Sequence, residues 1–81
     1  MSVTVYSTSS CPWCVKAKEY LASLGVQYED VDVSKDRAAA EEIVQKTRQR
    51  GVPVTKIGSQ YIVGFDQGKI QSALKDEGLI Q

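Results

Sequence analysis

The period of the apolar positions changes repeatedly along this 81-residue chain, and each change marks an element. Val3-Thr4-Val5-Tyr6 alternates β-branched and aromatic residues as a short strand does, and Ser7 to Ser10 form a polar loop behind it. From Pro12 the period turns helical. Ala17, Tyr20, Leu21 and Leu24 fall on one face, Lys16, Lys18 and Glu19 point elsewhere, and Gly25 supplies a left-handed stop. Val26, Tyr28, Val31 and Val33 mark a second strand over Val26–Val33, its alternation broken by Glu29-Asp30. Ser34 reads as the N-cap of a second helix, with Asp36 in its first turn. Ala40, Ile43, Val44 and Thr47 are its buried stripe, and it ends near Arg48 ahead of Gly51. Val52 to Ile57, a turn at Gly58-Ser59, and Gln60 to Val63 read as a β-hairpin. Gly64-Phe65-Asp66 then caps a third helix that turns Ile70, Ala73 and Leu74 inward and stops at Gly78.

The order β-α-β-α-β-β-α, without linker or repeat, predicts one α/β domain over residues 1–81 with a mixed four-stranded sheet. The helix between the first two strands makes that pair parallel. Pro53 cannot donate to a sheet ladder, so it belongs at the start of the third strand. Local sequence leaves its isomer open, and only about 5–6% of X–Pro bonds are cis.

Composition narrows the chemistry by exclusion. Ten basic and ten acidic residues cancel, and neither sign forms a block, which argues against a nucleic-acid tail or a membrane-surface patch. No apolar stretch approaches the ~18 residues of a membrane span, and Met1-Ser2-Val3 leads into a strand, so the expectation is a cytoplasmic protein. A monomer is the default. The chain has no histidine, which removes Cys–His and Ser–His–Asp catalysis, and no glycine-rich nucleotide loop.

What remains is Cys11-Pro12-Trp13-Cys14, the only two cysteines, directly after the first strand and at the start of the first helix. A thiolate is the nucleophile in disulfide exchange, and unpaired N–H groups at a helix start favour negative charge. Cys11 is therefore the expected attacking sulfur. Cys14, three positions on and on the same face, is placed to displace a partner held on Cys11 as a mixed disulfide. Pro12 suits the first helical position, where a missing N–H costs nothing. Three rival readings are weaker. A structural disulfide of this spacing closes too small a loop to stabilise much. A zinc site needs ligands that one chain lacks, and an iron–sulfur cluster would have to bridge two copies through Cys11. Trp13 offers an apolar ledge beside the sulfurs or packs over the helix start, and Tyr6 is a candidate for the same groove. Asp30 and Asp32 read as a solvated strand end and a helix-entry turn, without chemistry.

With Cys-Pro-Trp-Cys, Gly-Val-Pro-Val and Val-Gly-Phe-Asp in this order behind a strand, nearly the whole chain resembles a glutaredoxin. The resemblance implies a thioredoxin-like three-layer sandwich and a glutathione-linked thiol–disulfide oxidoreductase with Cys11 nucleophilic and Cys14 resolving. It also implies a cis proline at Pro53 and no tightly bound cofactor. Glutathione, the co-substrate, would lie along Val52-Pro53 past Pro12 and Trp13. Its γ-glutamyl carboxylate would be held where Gly64, Phe65 and Asp66 open the last helix, a backbone anion site. Gln49 matches the polar residue that contacts the glycine carboxylate, with Arg48 and Arg50 beside it or simply solvated. Partners implied are glutathione and disulfide-containing proteins. Two departures bear on this. Thr8 stands where many glutaredoxins carry a lysine, and the position of the thioredoxins' buried aspartate is Val5. Gly64-Phe65 is also similar to small glutaredoxin-like redoxins that are recharged by thioredoxin reductase and feed ribonucleotide reductase, although their usual Trp-Ser lead is Ile62-Val63 here.

Overall fold

The computed structural model describes residues 3–80. Its elements are β1 (Val3–Ser7), α1 (Pro12–Ser23), β2 (Glu29–Asp32), α2 (Arg37–Thr47), β3 (Val54–Ile57), β4 (Gln60–Val63) and α3 (Gln67–Asp76), in the order predicted. The sheet runs β2-β1-β3-β4. β1 pairs parallel with β2 and antiparallel with β3, and β3 with β4 closes the hairpin.

Both faces of the sheet are covered, which is why β1 is buried at four of its five positions. Val3, Val5, Ile57 and Ile62 meet Leu21 of α1 and Ile70, Ala73 and Leu74 of α3 in the larger core. On the opposite face Tyr6 and Val54 meet Ala39 and Ile43 of α2. The chain is thus a three-layer thioredoxin-like sandwich, α1 and α3 on one side and α2 on the other.

Three local expectations are corrected. β2 spans only Glu29–Asp32 rather than Val26–Val33, since β1 offers partners only from Thr4↔Glu29 to Ser7↔Asp32. The Val26 N–H is instead used in closing α1, donating to Leu21 O at 3.1 Å, while the Val26 side chain fills the core. Asp36, not Ser34, caps α2, its carboxylate accepting from the Ala39 N–H at 3.1 Å. Ser34 is held in a turn in which its N–H and hydroxyl both donate to Asp32 Oδ1. That shift rotates the stripe of α2: Ala39 and Ile43 are buried, Ala40 and Thr47 half-buried, and Val44 exposed.

Candidate active site

Cys11 is the N-cap of α1, with extended φ and ψ, and Pro12 takes the first helical position. At a helix start an unpaired N–H needs an acceptor, and here the sulfur supplies it. The Cys14 N–H donates to Cys11 Sγ at 3.1 Å. The nucleophile candidate therefore sits where helices bind anions. Cys11 is half-buried and reachable, whereas Cys14 is wholly buried, and both are free thiols. Burial pushes the Cys14 thiol up to about 11, reinforced by its hydrogen bond with Cys11. The backbone of Thr8 and the charge of Lys18 work the other way.

Across from the dithiol runs the loop into β3. The Val52–Pro53 peptide bond is cis, the isomer that the family resemblance implies, and Cys11 Sγ lies 3.8 Å from Val52 O. Pro53 O accepts from the Gly64 N–H at 2.8 Å, tying this loop to the segment before α3. Gly64 has φ +80°, a left-handed backbone that glycine takes without strain. Two residues later Asp66 caps α3, accepting from the Lys69 N–H at 3.1 Å. The start of α1, the Val52-Pro53 loop and the start of α3 thus converge on one edge of the molecule.

Aromatic side chains floor that edge. Phe65 lies between Trp13 (centroids 6.3 Å apart) and Tyr20 (5.9 Å, edge to face). Trp13 is 58% exposed with Lys16 over its ring, so it forms a ledge beside the sulfurs rather than packing under the helix start. Tyr6 does not join it. It is buried beneath α2, because its position in β1 faces the other layer. Gln49 is used within its own loop. Its amide nitrogen donates to Thr47 Oγ1 and Gly51 O, and its amide oxygen accepts from the Gly51 N–H.

Two polar clusters escaped the sequence reading. Asp30, read there as free of chemistry, accepts from the Ser7 hydroxyl at 2.7 Å and pairs with Lys18 at 2.9 Å. The Cys14-x-x-x-Lys18 spacing, one helical turn, was the available signal. On the α2 face Glu42 accepts from the Tyr61 hydroxyl and lies 3.7 Å from Lys56. That convergence depends on strand register and leaves no mark on local sequence.

A thioredoxin fold with two free thiols at the head of α1, one reachable and one buried, defines a thiol–disulfide oxidoreductase. The family model named Glutaredoxin matches residues 3–62. An uncharacterised glutaredoxin-like 8.6 kDa protein in the rubredoxin operon of Clostridium pasteurianum is 41% identical over 73 residues, 90% of this chain and 97% of that protein. Among solved structures, the buckwheat glutaredoxin–glutathione complex superposes with a TM-score of 0.78 at 28% identity, covering 98% of this chain and 81% of that one. The glutaredoxin-like NrdH-redoxin of Escherichia coli, titled for its thioredoxin-like activity profile, gives 0.80 at 26% identity over 89% and 93%. The chain belongs to the glutaredoxin family.

Proposed function

We propose that this protein reduces protein disulfides and glutathione mixed disulfides in the cytoplasm, as a monomer, with glutathione as the electron source. The observation that carries it is the asymmetry of the two thiols: Cys11 reachable at the helix start, Cys14 buried one turn behind. Cys11 thiolate attacks the target disulfide and expels one thiolate. Cys14 then attacks Cys11 Sγ, releases the second thiolate and leaves the Cys11–Cys14 disulfide. Two glutathione thiols return two electrons and two protons and become oxidised glutathione.

In this reading glutathione lies along Val52 and Pro53 beside Pro12 and Trp13, and its γ-glutamyl carboxylate meets the α3 start at Gly64, Phe65 and Asp66. Support comes from the convergence of these three segments and from likeness to a glutaredoxin whose solved structure is a glutathione complex. Gln49 reaches the glycine carboxylate by exchanging one of its loop bonds for it. Thr8, in place of a lysine, and the likeness to NrdH-redoxin favour a second reading, a redoxin recharged by thioredoxin reductase and serving ribonucleotide reductase.

The two readings separate when the oxidised protein is reduced with NADPH and either glutathione plus glutathione reductase or thioredoxin reductase. The proposal predicts fast reduction in the glutathione arm. Reduction by thioredoxin reductase alone would replace it with the second reading.

A further inference from the structure

Cys14 must ionise to do its part, yet it is fully buried. A buried thiol resists ionisation unless something opposes the cost of desolvation. One charge that favours the Cys14 thiolate, that of Lys18, belongs to a network on α1, β1 and β2. Lys18 follows Cys14 by one helical turn, so the two side chains occupy the same face of α1. Lys18 Nζ pairs with Asp30 Oδ2 at 2.9 Å, and Asp30 Oδ1 accepts from the Ser7 hydroxyl at 2.7 Å. Ser7 is itself buried at the end of β1, where the chain leaves the sheet for the loop that delivers Cys11 and Cys14. Two separate tethers therefore fix the ammonium on the side of α1 that carries this thiol: the helix spacing, and the anchor through Asp30 to the end of β1.

We propose that Lys18, anchored by Asp30 and Ser7, is the positioning residue that promotes ionisation of Cys14 for the resolving step. The inference rests on the dithiol reading of Cys11 and Cys14. In that step the Cys14 proton passes to solvent, the Cys14 sulfur bonds to Cys11 Sγ, and the bond from Cys11 Sγ to the bound partner breaks. The partner leaves as thiolate. Both cysteines are oxidised to one disulfide, and the disulfide originally attacked has been reduced to two thiols. Lys18 transfers no proton. Its positive charge stabilises the Cys14 thiolate.

The charged and titratable groups around the pair are few. α1 contributes Cys11 and Lys18, and β2 contributes Asp30, with Asp32 flanking it and Tyr28 flanking Lys18. Hydrogen bonding to Asp30 raises the Lys18 ammonium above its ordinary value. Burial works to raise Asp30, but the Ser7 hydroxyl and Lys18 outweigh it and hold the carboxylate below its usual range. The ion pair therefore stays charged across the pH range of thiol chemistry.

Stopped-flow reaction of the reduced protein with dithiobis(nitrobenzoate) reads both steps. Cys11 attack releases one thionitrobenzoate, and Cys14 attack on the resulting mixed disulfide releases the second. Lys18→Met keeps the packed stem and removes the charge, and Lys18→Arg keeps the charge. A tenfold loss of Cys14 thiolate, partly offset by the greater nucleophilicity of a more basic sulfur, slows the second phase about threefold at neutral pH. Once the thiol is fully ionised the variant becomes the faster, so the two pH profiles cross, while Lys18→Arg follows wild type. Lys18→Gln gives the same reading if the methionine variant does not fold.

A Lys18→Met profile that overlays wild type, or one uniformly slower at every pH and shared by Lys18→Arg, would overturn the inference and leave the dithiol reading standing. A wild-type reaction without a second phase would overturn the dithiol reading itself, and this inference with it.

Discussion

The Thr55 hydroxyl is the one buried side-chain polar atom among the described residues that has no hydrogen-bond partner. Thr55 lies on the α1/α3 face of β3, fully buried, opposite Val5 of β1 and Ile62 of β4. Burying a hydroxyl without a partner costs about 1–3 kcal/mol. Valine has the same β-branched shape and strand preference, so Thr55→Val removes the polar atom without opening a cavity. Its extra methyl adds about 0.8 kcal/mol of apolar burial at most. A net gain of about 1–2 kcal/mol is expected, or about 5–10 °C in melting temperature for a domain of this size. Urea unfolding followed by far-ultraviolet circular dichroism measures it, with an unchanged slope required so that the midpoint shift reports stability alone. Thr55→Ser is the control, since it keeps the hydroxyl and leaves a methyl-sized void, and it should be less stable than wild type by about 1 kcal/mol. A Thr55→Val protein less stable than wild type at the same slope would refute the reasoning, because it would mean that the hydroxyl is hydrogen-bonded in the native protein.

Further predictions concern the dithiol and the last helix. The folded chain holds the Cys14 proton more tightly than an ordinary thiol of value 9.0 does, with its own value at about 11. The resulting stability is fully present below pH 9 and is lost as pH rises to 11. Between about pH 8.5 and about pH 10.5 the reduced protein should lose about 2 kcal/mol through this group. Urea midpoints should fall less steeply over that interval in Cys14→Ser, and an identical fall in both proteins would contradict the burial argument. Asp66 caps α3 through its carboxylate, so Asp66→Ala should cost about 1 kcal/mol and Asp66→Asn much less. Thermal melts compare the two, and equal losses would mean that the negative charge, not the hydrogen bond, matters.

The element order and the dithiol were legible in the sequence because both are local. Alternation and helical period reveal strands and helices one at a time. Cys-Pro-Trp-Cys after a strand places its sulfurs at a helix start without knowledge of the rest of the chain. Most of what was misread depends on partners distant in sequence. β2 was read too long because its length is set by how many residues β1 offers, and the hydrophobic run from Val26 disguised a loop that closes α1. The α2 cap lies two residues later than expected, because the helix starts at Arg37 and the Asp36 carboxylate accepts from the Ala39 N–H, while Ser34 belongs to the preceding turn with Asp32. Tyr6 was put on the wrong layer because β1 is buried on both faces, so its alternation does not say which side carries the site. Asp30 is solvent-exposed as read, and what the sequence did not reveal is that strand pairing also sets it between Ser7 and Lys18. The isomer of Pro53 was readable only through the family resemblance, since nothing in Gly-Val-Pro-Val itself selects cis.

The central claim is a division of labour between two sulfurs, and trapping tests it most directly. Cys14→Ser and Cys11→Ser proteins are each mixed with a glutathionylated peptide, and the intact masses are read without reductant. The account predicts one glutathione on the Cys14→Ser protein, mapped to Cys11, and none on the Cys11→Ser protein, whose remaining thiol is buried. Glutathione on Cys14 of the Cys11→Ser protein, or on neither protein, would contradict it.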